Sequence, residues 1–136
     1  SPGLHSLNGE NGKLAEDYRM HADLVLYTMK SDAPGRASDL AEIKALSKGG
    51  KKILLLLTGS DTTKPSVMDG KIISTVIMKS PDVRRDQQNY VRKELQELAD
   101  IENLKMVSIS ARYAQQHSHE SDAFQDSGMA TFFLLL

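Results

Sequence analysis

The chain predicts an α/β fold in which a parallel β-sheet is flanked by helices. Three observations carry this expectation. Apolar runs end in turn residues at three places, amphipathic stretches lie between them, and the order is strand, helix, strand, helix, strand, helix. Short runs of consecutive apolar residues bounded by turns suit strands covered on both faces. The alternating order favours parallel strands joined by right-handed crossovers.

Residues 1–17 are polar, hold Gly3, Gly9 and Gly12, and read as a loop. The first strand is the run Leu24 to Tyr27, stopped by Ser31-Asp32-Ala33-Pro34-Gly35. Residues 37–50 read as a helix: Ser38 is placed to cap its start and Gly49 to give a left-handed cap at its end. Leu40, Ile43 and Leu46 repeat between them at helical spacing. "KKILLLLTGSD" is the clearest strand, with Ile53 to Leu57 all apolar. The segment 62–80 is longer than a simple connection requires. Its Asp-Gly pair followed by β-branched residues points to an insertion or a hairpin covering the sheet edge. Ser80-Pro81 then opens a helix, with a capping hydroxyl and proline at the first helical position. Tyr90, Val91, Leu95 and Leu98 mark its inner face, and it is expected to run to about Asp100. Met106 to Ile109 make the third strand, residues 114–128 a polar loop, and "MATFFLLL" begins a final apolar helix.

A length of 136 residues suits one domain with a single core. Lys plus Arg number 17 and Asp plus Glu 18, a net charge of −1, so nothing electrostatic calls for nucleic acid or an anionic membrane as partner. Cysteine is absent, which excludes a disulfide framework, a thiolate nucleophile and a thiolate metal site, and fits a reducing, cytoplasmic setting. No 18-residue apolar run or signal-type leader occurs.

In parallel sheets of this kind ligands sit at the carboxyl ends of the strands. The loop after the second strand is Thr58-Gly59-Ser60-Asp61, and the loop after the third is Ser110-Ala111-Arg112. Upstream, the chain opens Ser1-Pro2-Gly3-Leu4. Together these stretches resemble the P-loop GTPases, which carry an Asn/Thr-Lys-x-Asp motif after one strand and a Ser-Ala-Lys/Leu motif after the next. Ahead of both they carry an Asp-x-x-Gly motif. Pro2-Gly3 followed by an apolar residue is most similar to that motif in bacterial dynamin-like members, with the Asp falling just before Ser1. The resemblance covers most of the chain and implies the C-terminal part of a GTPase domain. It implies that the strand ending in that Asp, and the P-loop before it, belong upstream.

The resemblance assigns residues 1–20 to a phosphate and switch loop, and to nucleotide binding Pro2, Gly3, Thr58, Gly59, Ser60, Asp61, Ser110, Ala111 and Arg112. It names GTP or GDP with Mg²⁺ as the ligands of the intact domain. It also implies self-association and peripheral contact with a membrane surface. It assigns no metal ligand and no catalytic residue within this chain. The chain alone is expected not to hydrolyse GTP, because the Walker-type Lys and the Mg²⁺-binding Ser/Thr are absent from it. Two departures stand out. Gly59 replaces the Lys whose aliphatic stem covers the purine, and Leu4 stands where Ras-like members hold a Gln.

The chemistry agrees with the assignment. Guanine presents N1–H and an N2 amine side by side, and one carboxylate, Asp61, can accept both. Its O6 accepts a backbone N–H, which a turn at Ser110-Ala111 could offer. Gly3, lacking a side chain, would let its N–H approach a γ-phosphate. Other motifs carry less. "GENGK" (residues 9–13) lacks the spacing of a phosphate-binding loop. His117, His119 and Glu120 have donors suited to zinc but read as a solvated loop tip. His5 and Tyr18 lie near the phosphate loop. The alternative to a nucleotide enzyme is a non-catalytic α/β interaction domain with a degenerate G-like fold, for which Gly59 speaks; a flavodoxin-like domain is a weaker third.

Overall fold

The computed structural model describes residues 24–97 and 104–136. Ten elements follow in order: β1 (Leu24–Lys30), α1 (Ala37–Lys48), β2 (Lys52–Thr58), β3 (Asp61–Met68), β4 (Lys71–Met78), α2 (Pro81–Glu94), β5 (Lys105–Ser108), α3 (Ala111–Gln116), α4 (Ala123–Asp126) and α5 (Met129–Leu134). β1, β2 and β5 form a parallel sheet in the order β1-β2-β5. β3 and β4 pair antiparallel as a separate two-stranded unit. The fold is therefore α/β with a three-stranded parallel sheet, as the alternation of elements implies.

β2 is central, and its five apolar residues Ile53 to Leu57 are all buried. One face of the sheet, carrying Val25, Tyr27, Met29, Ile53, Leu55, Leu57 and Met106, packs against Ile43 and Leu46 of α1 and against Val91 and Leu95 at the end of α2. The other face, with Leu54, Leu56, Val107 and Ile109, is covered by Met129, Phe132 and Leu135 from the α5 region and by Leu24. The long apolar run of β2 exists because both of its faces are dry. β1 differs from the expectation of a strand buried on both faces: Val25, Tyr27 and Met29 are buried, while Leu26 is 44% exposed. It lies at one side of the described sheet, and of its side chains only Leu24 packs against the cluster on that face. It also runs three residues further than the apolar run, because parallel pairing with β2 continues to Lys30 and Thr58.

Several local expectations are corrected. The residue capping α1 is Arg36, with no side-chain bond, not Ser38, which lies inside the helix. Gly49 has φ −75° and the left-handed position falls on Gly50 at +73°. Ser80 caps α2 as expected, accepting from the Val83 N–H at 3.2 Å. α2 ends at Glu94 instead of near Asp100, and Tyr90 is half exposed, packing its ring edge toward Gly35 instead of into the core. β5 begins at Lys105 and ends at Ser108. The polar loop 114–128 carries the end of α3 and the short α4.

The insertion 62–80 is a hairpin that starts at Asp61. Asp69 and Gly70 both have positive φ, 52° and 75°, the geometry of a two-residue type I′ turn. Pro2, Gly3, His5, the "GENGK" stretch and Tyr18 lie outside the described residues, as do Leu98 and Asp100.

Candidate functional site

The ends of β1 and β2 are tied together before the chain leaves the sheet. The Ser31 N–H donates to the Thr58 carbonyl at 2.8 Å, and the Ser31 hydroxyl to the Gly59 carbonyl at 2.9 Å. The Thr58 hydroxyl donates to the Met29 carbonyl at 3.2 Å. Gly59 then turns the chain with φ +64°. A Cβ built there would meet nothing within 4 Å. The backbone conformation, not lack of space, therefore favours glycine at position 59.

Ser60 is fully buried; its N–H donates to the Ile109 carbonyl at 3.0 Å and its hydroxyl to the Leu57 carbonyl at 2.9 Å. These bonds clamp the loop between β2 and the end of β5 and leave Asp61 to begin β3. The Lys79 N–H donates to the Ser60 carbonyl at 3.0 Å, and its ammonium reaches the Ser31 hydroxyl at 3.0 Å and Asp32 at 2.5 Å. The exit of the hairpin is thus fastened to the end of β1. That hydrogen bond, with the charge of Lys79, holds the Asp32 carboxyl below its ordinary range.

The decisive contact joins the two strand-end motifs. The Ser110 hydroxyl donates to Asp61 Oδ2 at 2.5 Å and accepts from the Tyr113 N–H at 2.9 Å as the cap of α3. Asp61 Oδ1 lies 4.0 Å from Arg112 Nη1; the Asp61 side chain is 10% exposed and that of Arg112 62%. Ser110 is held in turn by its own N–H, which donates to the buried Ser127 carbonyl at 2.9 Å. This corrects the expectation of an open turn at Ser110-Ala111: Ser110 starts a helix, and its N–H is already used. The Ala111 N–H, at the first helical position, has no carbonyl partner within α3.

An open cleft of about 430 Å³ lies over these strand ends. β1 and its turn contribute Lys30 and Asp32; Thr58 and Gly59 come from the end of β2, Asp61, Thr62 and Thr63 from β3, and Arg112 from α3. Of the sequence-derived residues, Thr58, Gly59, Asp61 and Arg112 line the cleft. Ser60, Ser110 and Ala111 do not, Ser60 and Ser110 acting instead on its floor and on the Asp61 carboxylate. Sequence reasoning missed Lys30, Asp32 and the Thr62-Thr63 pair. Lys30 lies three residues past the apolar run Leu24 to Tyr27, and only its pairing with Thr58 places it at a strand end.

The far end of α3 grips the hairpin. Gln116 Oε1 accepts from the Val76 N–H at 2.7 Å, and His117 Nε2 lies 2.7 Å from the Val76 carbonyl. His117 Nδ1 meets Glu120 at 3.1 Å. Both neighbours of this ring are acceptors, so the geometry suits the imidazolium. The Val76 carbonyl, and after it Glu120, raise the His117 pKa above its ordinary 6.5. His117 is therefore not part of a solvated tip; its side chain is 15% exposed. Among the described residues no group of three or more His, Asp or Glu side chains is arranged to hold a metal ion.

Across its full length the chain is 26% identical to the uncharacterized protein ACIAD1444 of Acinetobacter baylyi, and it spans 28% of that relative. No protein-family model matches the chain, and no solved structure does. No helix among the described residues is long and apolar enough to cross a membrane.

Proposed function

We propose that this chain is the base-binding part of a P-loop GTPase-like domain, most similar to the bacterial dynamin-like members. In the intact protein it would contribute to binding and hydrolysing GTP with Mg²⁺, in a cycle tied to self-association at a membrane surface. The observation that carries the reading is the Ser110–Asp61 hydrogen bond of 2.5 Å. It joins two strand-end motifs 49 residues apart and fixes a carboxylate at the edge of a cleft. Held there, Asp61 keeps lone pairs for the N1–H and N2 amine of guanine, while adenine, lacking that donor pair, would leave it unsatisfied. The difference amounts to about 1–3 kcal/mol. No described residue is assigned to Mg²⁺ or to the γ-phosphate.

The test is a titration of GDP and of ADP into the isotope-labelled chain, followed by amide chemical shifts. GDP should bind roughly fivefold to a hundredfold tighter than ADP, with shifts centred on residues 58–61 and 110–112, and Ser110→Ala should erase most of the difference. Equal binding of both nucleotides would remove the reading. The second reading, a non-catalytic interaction domain, draws on Gly59 and on the hairpin, whose Val67 and Ile72 are 74% and 80% exposed. On that reading neither nucleotide shifts the cleft.

A further inference from the structure

The cleft holds two cationic side chains, and they stand on opposite flanks. Arg112 belongs to α3, which follows β5, and lies 4.0 Å from Asp61. Lys30 ends β1 and pairs with Thr58 across the parallel ladder, on the other side of β2. Two strand spacings, about 10 Å, separate the strands from which they come. Asp32, which shares the cleft, feels the charge of Lys30, but its hydrogen bond of 2.5 Å is made by Lys79.

We infer that Lys30 receives the anionic half of the ligand, the phosphate carried by a guanine nucleoside whose base sits on Asp61. The inference rests on the base assignment above. The hydrogen-bonding edge of guanine and its glycosidic nitrogen are at opposite ends of the purine. A base docked edge-on to Asp61 therefore directs its sugar and phosphate away from that carboxylate, which would repel them. Arg112 is held at the base end by its proximity to Asp61. Lys30 is then the cation left at the other flank, beside Thr58, whose hydroxyl already donates to the Met29 carbonyl. The cleft has the charge order such a molecule requires: an acceptor at the base edge and a positive group across β2 from it.

The experiment compares guanosine, GMP and GDP, each titrated into the 136-residue chain and into Lys30→Ala and Lys30→Arg variants at low ionic strength. In the unmodified chain the phosphorylated ligands should bind roughly tenfold tighter than guanosine. Lys30→Ala should cut that advantage to about threefold or less while leaving guanosine affinity within about twofold, and Lys30→Arg should retain it. An equal loss for guanosine and for GDP would overturn the inference, as would an unchanged advantage in Lys30→Ala. If guanosine binds and Asp61→Asn abolishes that binding while Lys30→Ala changes nothing, only the Lys30 assignment falls. If no guanine ligand binds the unmodified chain, the base assignment falls and this one with it.

Discussion

β2 and β4 have almost the same length, seven and eight residues, yet they are held by opposite means. β2 buries five consecutive apolar side chains between two helical layers. β4 buries only Val76 and leaves Ile72 80% exposed. What fixes the hairpin is polar and local: Gln116 and His117 take both backbone groups of Val76, and Lys79 pins the exit. Those bonds cap the open edge of β4 at one point. On β3, Pro65 removes an N–H from the opposite edge; Thr63–Val76 is a non-hydrogen-bonded pair, and two residues on, Pro65 opposite Ser74 is one as well. The comparison teaches that the sheet is a hydrophobic object and the hairpin an accessory held by hydrogen bonds. Asp61 sits at their seam, as the first residue of β3 bonded to the first turn of α3.

The largest effect should come from breaking the sheet. Leu55 is fully buried, and Leu55→Ala should cost about 2–5 kcal/mol in urea unfolding. Gly128 comes next. It has φ +81°, and a Cβ there would meet the Ser108 carbonyl oxygen at 2.2 Å. That contact is with backbone, so β5 or the start of α5 must shift; Gly128→Ala should cost about 2–4 kcal/mol. It should also perturb Ser110, which bonds to neighbouring Ser127.

Breaking the hairpin's anchor should do less. His117→Ala should cost about 1 kcal/mol at acidic pH and should speed amide exchange in β4 without affecting β2. The pH dependence has a definite sign. The folded pKa of His117 is raised, so the stabilisation is fully present below about 6.5, the unfolded value. It is lost as pH rises through the raised folded value. Hydrogen exchange across that window should loosen β4 in the unmodified chain and not in the variant. Equal effects on β2 and β4 would mean that the two units are not held separately. The smallest effect belongs to the exposed tip, where Ile72→Thr should change stability by no more than about 0.5 kcal/mol.

The sheet was legible because burial on both faces leaves an unmistakable mark, as in Ile53 to Leu57. The hairpin announced itself through Asp69-Gly70, since a two-residue turn of this hand requires positive φ at both positions. The end of β1 was not legible, because Thr28 and Lys30 continue the ladder with polar side chains. The caps of α1 were not legible: its start at Arg36 uses no side-chain cap, and the left-handed residue at its end is Gly50, one place beyond Gly49. α3 was hidden within a polar stretch: its role is to present Ser110 and to grip Val76, so it carries no buried side chain to mark a period. Of the site, Thr58, Gly59, Asp61 and Arg112 were readable as strand-end residues. Lys30 was not, because its place depends on lateral pairing with Thr58, which no local pattern encodes.

On the proposed reading Asp61, held by Ser110, reads the donor edge of a purine. Asp61→Asn tests it most directly, with GDP and xanthosine diphosphate as paired ligands. Xanthine carries a carbonyl where guanine carries the N2 amine, so an amide donor should replace a carboxylate acceptor there. The unmodified chain should prefer GDP and Asp61→Asn xanthosine diphosphate, each by roughly tenfold. An unchanged preference, or two ligands bound equally by both proteins, would contradict it and leave Asp61 a structural partner of Ser110.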